Sequence, residues 1–365
     1  GVTTGVGAYY SHHVILENMV LENIEQFAYD INCCDEWHFI NCDAINMCDS
    51  LSRDPGQNGT GFGVNNRIDA FGEGPYWSKS PRDFHVYFYG CRSINASDNG
   101  FAFQGPSYIE TTNCWAIGGG GLTGDGVGFK YSIFTTTDTI NPLSRVIKNC
   151  IAVNNGLCGF SPNNSGGTPF NVHCYNNFAF HNGYKPWLEW YIEGTYGNGW
   201  MMFTTASGDY YAPNEMYANN ISFANSNKDV YEPLPPSHLY WHNEYNSWNN
   251  PPGVVVDSSD FISLDTLELL LSRKVDGSLP DINFGKLAPG SDLIDAGTPI
   301  IKTKDYSISL PFSGNAPDLG WWESPGSTTP STPAIPVYVN SVIQNATPSR
   351  IELTYNLSMA NVVPG

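Results

Sequence analysis

The chain has 365 residues, 35 acidic against 16 basic side chains, and a formal net charge of −19. That balance excludes a nucleic-acid partner, which requires a basic face, and it repels an acidic polymer unless a local basic patch or a bound cation reverses the field. Apolar residues at 41% exclude a disordered chain, and no run of eighteen apolar residues is present to span a membrane.

The chain opens at Gly1 with no leader-like segment and reads as a processed or truncated piece of a larger secreted or cell-surface protein, monomeric as a module of that chain. A degenerate phrase then recurs along it. An early copy is Glu22-Asn23-Ile24, followed by Asn41-Cys42-Asp43-Ala44, Gly90-Cys91-Arg92-Ser93, Asn113-Cys114-Trp115-Ala116 and Asn149-Cys150-Ile151-Ala152. Later copies carry Asn for Cys, as Asn176-Asn177-Phe178-Ala179 and Asn219-Asn220-Ile221-Ser222. Short β runs lie between the copies, such as Phe84 to Tyr89 and Ser144 to Lys148. A period in the low twenties, with Asn and Gly at the corners, predicts an all-β solenoid, a right-handed parallel β-helix. Inward residues then stack on their equivalents one coil away, and identical amides hydrogen-bond up such a ladder. Asn and Gly at the corners tolerate positive φ.

Nine cysteines without a CxxC argue against zinc and for free, buried thiols acting as small apolar residues. The repeat fades after Asn250. A helix-like segment, Ser263 to Ser272, leads into Gly- and Pro-rich text to Glu323. Residues 324–336, SPGSTTPSTPAIP, read as an extended linker. Alternation returns from Val337 to Leu357, as at the start of a β-sandwich module. The expected division is therefore a β-helix at 1–323, a linker at 324–336 and a cut-off sandwich at 337–365.

The phrases CRSINASDNGFAFQG, NCWAIGGGGLTGDGVGFKYS, KNCIAVNNGLCGFSPNNSGG and YNNFAFHNG, with the tail DGSLPDINFGKLAPGSDLIDAG and NAPDLGWWE, resemble the pectate lyase family 9 of polysaccharide lyases over roughly residues 40–323. The resemblance implies β-elimination on a uronate-containing polysaccharide. A lysine removes the proton at C5, and calcium neutralises the adjacent carboxylate. The matching lysine is Lys130, in Gly128-Phe129-Lys130 after a glycine-rich run that lets a sugar approach the backbone. A lysine serves as a base when desolvation or a nearby cation lowers its pKa.

The family's calcium acids fall here on Ser97-Asp98-Asn99-Gly100-Phe101-Ala102, where Asp98 keeps its carboxylate and Asn99 and Ala102 replace the others. They also fall on Gly59-Thr60-Gly61-Phe62, where Thr60 stands for the acid. Calcium wants six to eight oxygens, so Asp98 and Asn99 are the candidate metal residues of an eroded site. Arg92, Trp115, Asp125, Asn163 and Asn164 are candidate substrate contacts. Arg82, Lys79 and Arg145 could assist as carboxylate partners. The alternatives are a noncatalytic glycan-binding groove, with Tyr76, Trp77, Trp115, Trp187 and Trp190 as sugar platforms, and a glycoside hydrolase built on Asp98 and Asp125. His12, His13, His38, His173 and His181 lack ligand spacing and read as polar stack or surface residues. Asp257 to Asp260 read as caps for the helix-like segment from Ser263.

Overall fold

The computed structural model describes residues 2–65, 84–104, 107–131, 143–162, 171–184, 197–201, 216–231, 242–249, 253–302, 306–325, 338–343 and 351–355. Among the described residues up to 249, the chain turns in coils of three strands, two in the last, each strand joining its own parallel sheet. The first sheet has eight strands: Thr4–Tyr9, Phe27–Asn32, Thr60–Asn65, Asn99–Gln104, Val127–Lys130, Cys158–Ser161, Asn198–Met201 and Lys228–Tyr231. The second, also of eight, runs from His12–Glu17 to His242–Glu244, and the third, of seven, from Val20–Glu22 to Ile221–Phe223. Each strand pairs in register with its equivalent one coil away, so Phe101 sits between Phe62 and Phe129. This is the parallel β-helix that the repeat predicts.

The register makes the core a set of columns. Tyr29, Phe62, Phe101, Phe129, Phe160 and Trp200 form one continuous aromatic stack inside the first sheet, with ring centroids 4.8, 4.8, 4.7, 5.0 and 4.1 Å apart. All six side chains are fully buried, and stacked rings add attraction beyond the area they hide. The glycine before each of the five rings after Tyr29 is steric in origin. A Cβ on Gly128 would stand 2.6 Å from the Gly159 carbonyl oxygen, closer than any real contact.

The repeated Cys and Asn form a second column. The backbone N–H of Cys91 donates to the Cys114 sulfur and that of Cys114 to the Cys150 sulfur, both at 3.4 Å. From there amides take over. Cys150 donates to Asn177 Oδ1, Asn177 to Asn220 Oδ1 and Asn220 to Asn246 Oδ1, at 2.9–3.0 Å. The residue before each member turns the corner at positive φ, as at Asn41, Gly90, Asn113, Asn149, Asn176 and Asn219. All nine cysteines are free, and all but Cys48 are buried.

The described residues of 253–325 cover the outer face of the third sheet, except that Ile301, Tyr306, Ile308 and Leu310 pack on the second. Ile94, Trp115, Ile151, Phe178 and Ile221 pack there against Phe261, Leu269, Phe284, Leu287 and Leu293 in one apolar cluster. The helix expected over Ser263 to Ser272 is instead two short 3-10 turns, Ser258–Asp260 and Thr266–Leu270. Only Leu269 of the second turn is buried, so there is no apolar stripe to hold an α-helix. Asp257 caps the first of these turns and Asp265 the second. Strands Tyr338–Ile343 and Ile351–Tyr355 pair antiparallel. No helix among the described residues is long and apolar enough to cross a membrane.

Candidate active site

The outer face of the first sheet, across its strands from Phe27 to Lys130, carries an open cavity of about 380 Å³, lined by Lys130, Asp98, Asp125, Asn99, Asn58, Thr60, Asn65, Ala102 and Gln104 among others. The register explains the opening. One outward row runs Asp30, Gly63, Ala102, Lys130, Ser161. Gly63 and Ala102 present almost no side chain, so the surface dips between Asp30 and Lys130. The Lys130 side chain keeps only 12% of its surface exposed, and its Nζ lies 3.3 Å from Asp125 Oδ2. The Asp125 N–H donates in turn to Asp98 Oδ1 at 3.1 Å, and Asn99 Nδ2 donates to Asp98 Oδ2.

Asp98 is the unusual group. Burial, opposed by Lys130 and reinforced by the charges of Asp125 and Asp49, pushes its carboxyl up to about 7. Asp49 sits behind it, held by the Asn58 amide at 2.8 Å. Asn99 Oδ1 is buried without a hydrogen-bond partner among the described residues. Asp30, at the far end of the dip, is also raised by burial, and it accepts from the Asn65 amide at 2.7 Å.

Of the sequence candidates, the fold brings Lys130, Asp125, Asp98 and Asn99 together. It does not bring Arg92 or Trp115. Both lie on the third sheet, whose outer face the 253–325 segment covers. Arg92 is 5% exposed, and its Nε and Nη2 are committed to Asp43 at 2.9 and 2.6 Å. Trp115 is buried beside a separate cleft under that segment. Their expected role at the site is corrected accordingly: the phrase that carries them faces away from Lys130. Arg145 is fully buried, lowered to about 9 by desolvation, and donates to the Ser107 carbonyl. Asn163, Asn164, Tyr76, Trp77, Lys79, Arg82, Trp187 and Trp190 lie outside the described residues. His173 is buried against Tyr306, and His181 bonds Asn154.

The cavity's amides Asn58, Asn65 and Gln104 escaped the sequence reading. Their signal was present: a Gly-Phe pair marks the strands that carry Gly63, Ala102, Lys130 and Ser161, and Asn65 and Gln104 stand three places after its Phe, paired in register.

The donors around Asp98 do not fit calcium. Both Asp98 oxygens are already engaged, Asp125 faces Lys130, and Thr60 and Ala102 stand where the resembled family has acids. Among the described residues, the sole group of three metal-ligating side chains drawn together is Asp35, Glu36 and His85, on the second sheet. A calcium ion needs six to eight oxygens, commonly with several carboxylates.

Comparison with known proteins agrees with this fold. The family model "Pel9A-like, right handed beta helix region" matches residues 2–188. "Pectate lyase L" of Dickeya chrysanthemi is 30% identical over 331 residues, 87% of this chain and 63% of that protein. The protein of the same name from Paenibacillus polymyxa is 30% identical over 177 residues, 48% of this chain and 32% of its own length. The chain thus spans about 63% of the Dickeya relative. Among solved structures, pectate lyase Pel9A superposes with a TM-score of 0.59 at 25% identity, over 87% of this chain and 68% of that one. A rhamnogalacturonan lyase, at 0.56 and 24% over 76% of this chain and 64% of that one, shares the fold.

Proposed function

The chain belongs to the Pel9A-like right-handed β-helix family, and from that premise we propose that it cleaves a uronate-containing, pectate-like polysaccharide by β-elimination, with Lys130 as the base. The observation that carries this reading is the juxtaposition of Lys130 with Asp125, Asp98 and Asn99 in an open cavity on the outer face of the first sheet. The Lys130 ammonium, held by Asp125, first gives a proton to water, and the resulting amine then takes the proton from C5 of the sugar. The C5–H electron pair becomes the C4=C5 double bond, the C4–O4 bond breaks, and the departing oxygen is protonated from water. Asp125 fixes the ammonium end of the lysine, which places the nitrogen before reaction.

Electrostatics supports entry of an anionic ring. The Lys130–Asp125 pair is neutral, and near neutral pH much of Asp98 is protonated. The local field is thus less negative than the whole molecule's −19. The unpartnered Asn99 oxygen suits a sugar hydroxyl, because a buried acceptor without a donor is costly. No step is assigned to a metal, since the donors do not form a calcium site. Action outside the cell, and placement of the catalytic unit at 1–323 ahead of a linker and a further module, belong to the same proposal.

The test follows ultraviolet absorbance of the unsaturated uronate end on pectate and other uronate polymers. Parent protein is expected to raise the absorbance, and Lys130→Ala to lower the rate ~10²–10⁴-fold, the usual worth of a positioned base. A flat parent trace on every polymer, or full activity in Lys130→Ala, overturns the assignment.

A further inference from the structure

A second cleft, of about 220 Å³, lies on the other side of the coil stack, between the corner after the second sheet and the 253–325 segment. Its origin is a gap in a ladder. The corner positions Asn41, Gly90, Asn113, Asn149, Asn176 and Asn219 follow one another up the stack. The upper three amides are each consumed by the covering segment. Asn149 donates to the Trp321 carbonyl, Asn176 to those of Asp318 and Gly320, and Asn219 to that of Thr298, all at 3.1 Å. Asn41 and Asn113 line the cleft instead, and neither side chain has a hydrogen-bond partner among the described residues. Gly90, between them, has no side chain, and Asn41 Oδ1 leans into the space a Cβ there would take.

The rest of the lining matches the chemistry of an acidic sugar. Tyr89 and Trp322 are 51% and 40% exposed, so both offer ring surface to a sugar face. Lys286 and Lys274 bring two of the protein's sixteen cationic side chains to one small cleft. Lys286 Nζ sits 4.3 Å from the Trp322 ring, and Lys274 meets the exposed Asp281 carboxylate at 2.6 Å. A surface ion pair of that kind is weak and exchanges readily for another carboxylate. The volume lies below the ~300 Å³ at which pockets for drug-sized ligands begin, which suits a single ring of a longer chain.

We propose that this cleft is a second, noncatalytic binding site for one uronate residue of an acidic polysaccharide. Its lysines receive the carboxylate, Asn41 and Asn113 the hydroxyls, and Tyr89 or Trp322 the apolar face of the ring. The choice of a uronate rests on the lyase reading, whereas the existence of the site rests on the open amides, aromatics and lysines. A polymer held at this second point is retained at the protein surface between cleavage events, which raises its effective concentration at the cavity of Lys130.

The experiment uses the full chain carrying Lys130→Ala, so that no turnover interferes, with ¹⁵N-labelled tryptophan. The Trp322 indole resonance is assigned by its loss in Trp322→Ala. Galacturonate trimer is expected to shift that resonance saturably, while a neutral glucose trimer leaves it in place. Lys286→Ala should raise the dissociation constant read from this signal about tenfold, and Asn113→Ala several-fold, with the remaining indole resonances intact as a check on folding. A Trp322 resonance unmoved by the acidic trimer, or moved equally by the neutral one, overturns the proposal. The absorbance assay on the parent protein separates the two readings: binding here without any unsaturated product keeps this site and removes the lyase.

Discussion

At the scale of single residues, the Lys130 cavity holds its acids in unequal states. Asp125 is ion-paired with Lys130, whereas Asp98 is buried and pushed up to about 7. The folded state therefore grips the Asp98 proton more tightly than the unfolded chain, whose carboxyl titrates near its ordinary 3.8. For a raised pKa, the associated stability is fully present below about pH 4 and is lost as pH rises through about 7. Asp98→Asn removes this titration. Its stability relative to the parent should improve as pH rises from about 4 to about 8, each kcal/mol appearing as roughly 2–4 °C in Tm. Parallel thermal melts across that range test this, and a pH-independent difference would sink it. The sequence could place Lys130, Asp98 and Asn99 together at the candidate site because they sit in phrases with a family counterpart, but the metal role expected of Asp98 and Asn99 does not match their donors. Arg92 and Trp115 sit in equally repetitive phrases, yet their side chains point outward from the third sheet. Which of three faces a coil residue serves is set by strand register and by what covers the face, and neither is written in a local phrase.

At the scale of elements, the column of sulfur and amide groups from Cys91 to Asn246 joins six coils by side-chain bonds in addition to the sheets. Asn177 is its pivot. It receives the Cys150 N–H, donates from its own amide to the Ile147 carbonyl and to Asn220 Oδ1, and is fully buried. Asn177→Leu leaves the Cys150 N–H and the Ile147 carbonyl unpaired at once, at about 1–3 kcal/mol each. Asn177→Cys restores the sulfur used by lower coils and should recover part of the loss. Denaturant unfolding should rank parent, Cys and Leu in that order, and an equal cost for Cys and Leu would deny the ladder its role. The repeat made this column readable in advance. The covering segment was less so. Its apolar residues follow neither a strand nor a helix period, because they fit side by side onto an existing sheet.

That segment is also clipped by charge. Asp43 is 3% exposed and binds Arg92 from the coil and Arg273 from the cover, each with a 2.6 Å contact. The two guanidiniums hold its carboxyl below the ordinary range despite burial. Asp43→Asn strands two buried cations and should cost about 3–5 kcal/mol. Arg273→Ala leaves the Arg92 pair and should cost less. Proteolysis should then cut first within 253–325 in Asp43→Asn, and a cleavage pattern unchanged from the parent would contradict the clip.

At the scale of the whole molecule, a protein of net charge −19 is asked to capture a polyanion. Long-range repulsion acts on encounter, while the neutral Lys130–Asp125 pair and the paired lysines of the second cleft act at contact. Salt screens the first over a Debye length that falls from about 30 Å at 0.01 M to about 8 Å at 0.15 M, and it weakens short, partly buried contacts much less. The rate on dilute acidic polymer is therefore expected to rise several-fold across that range, the reverse of a basic enzyme steered toward its substrate. Because the donors around Asp98 do not form a calcium site, calcium and magnesium at matched ionic strength should act alike, and EDTA should leave the salt curve in place. A loss of activity in EDTA that calcium alone restores would sink this account. It would require either that groups beyond Asp98, Asn99 and Asp125 hold the ion or that Asp125 leaves Lys130 to bind it during each catalytic cycle.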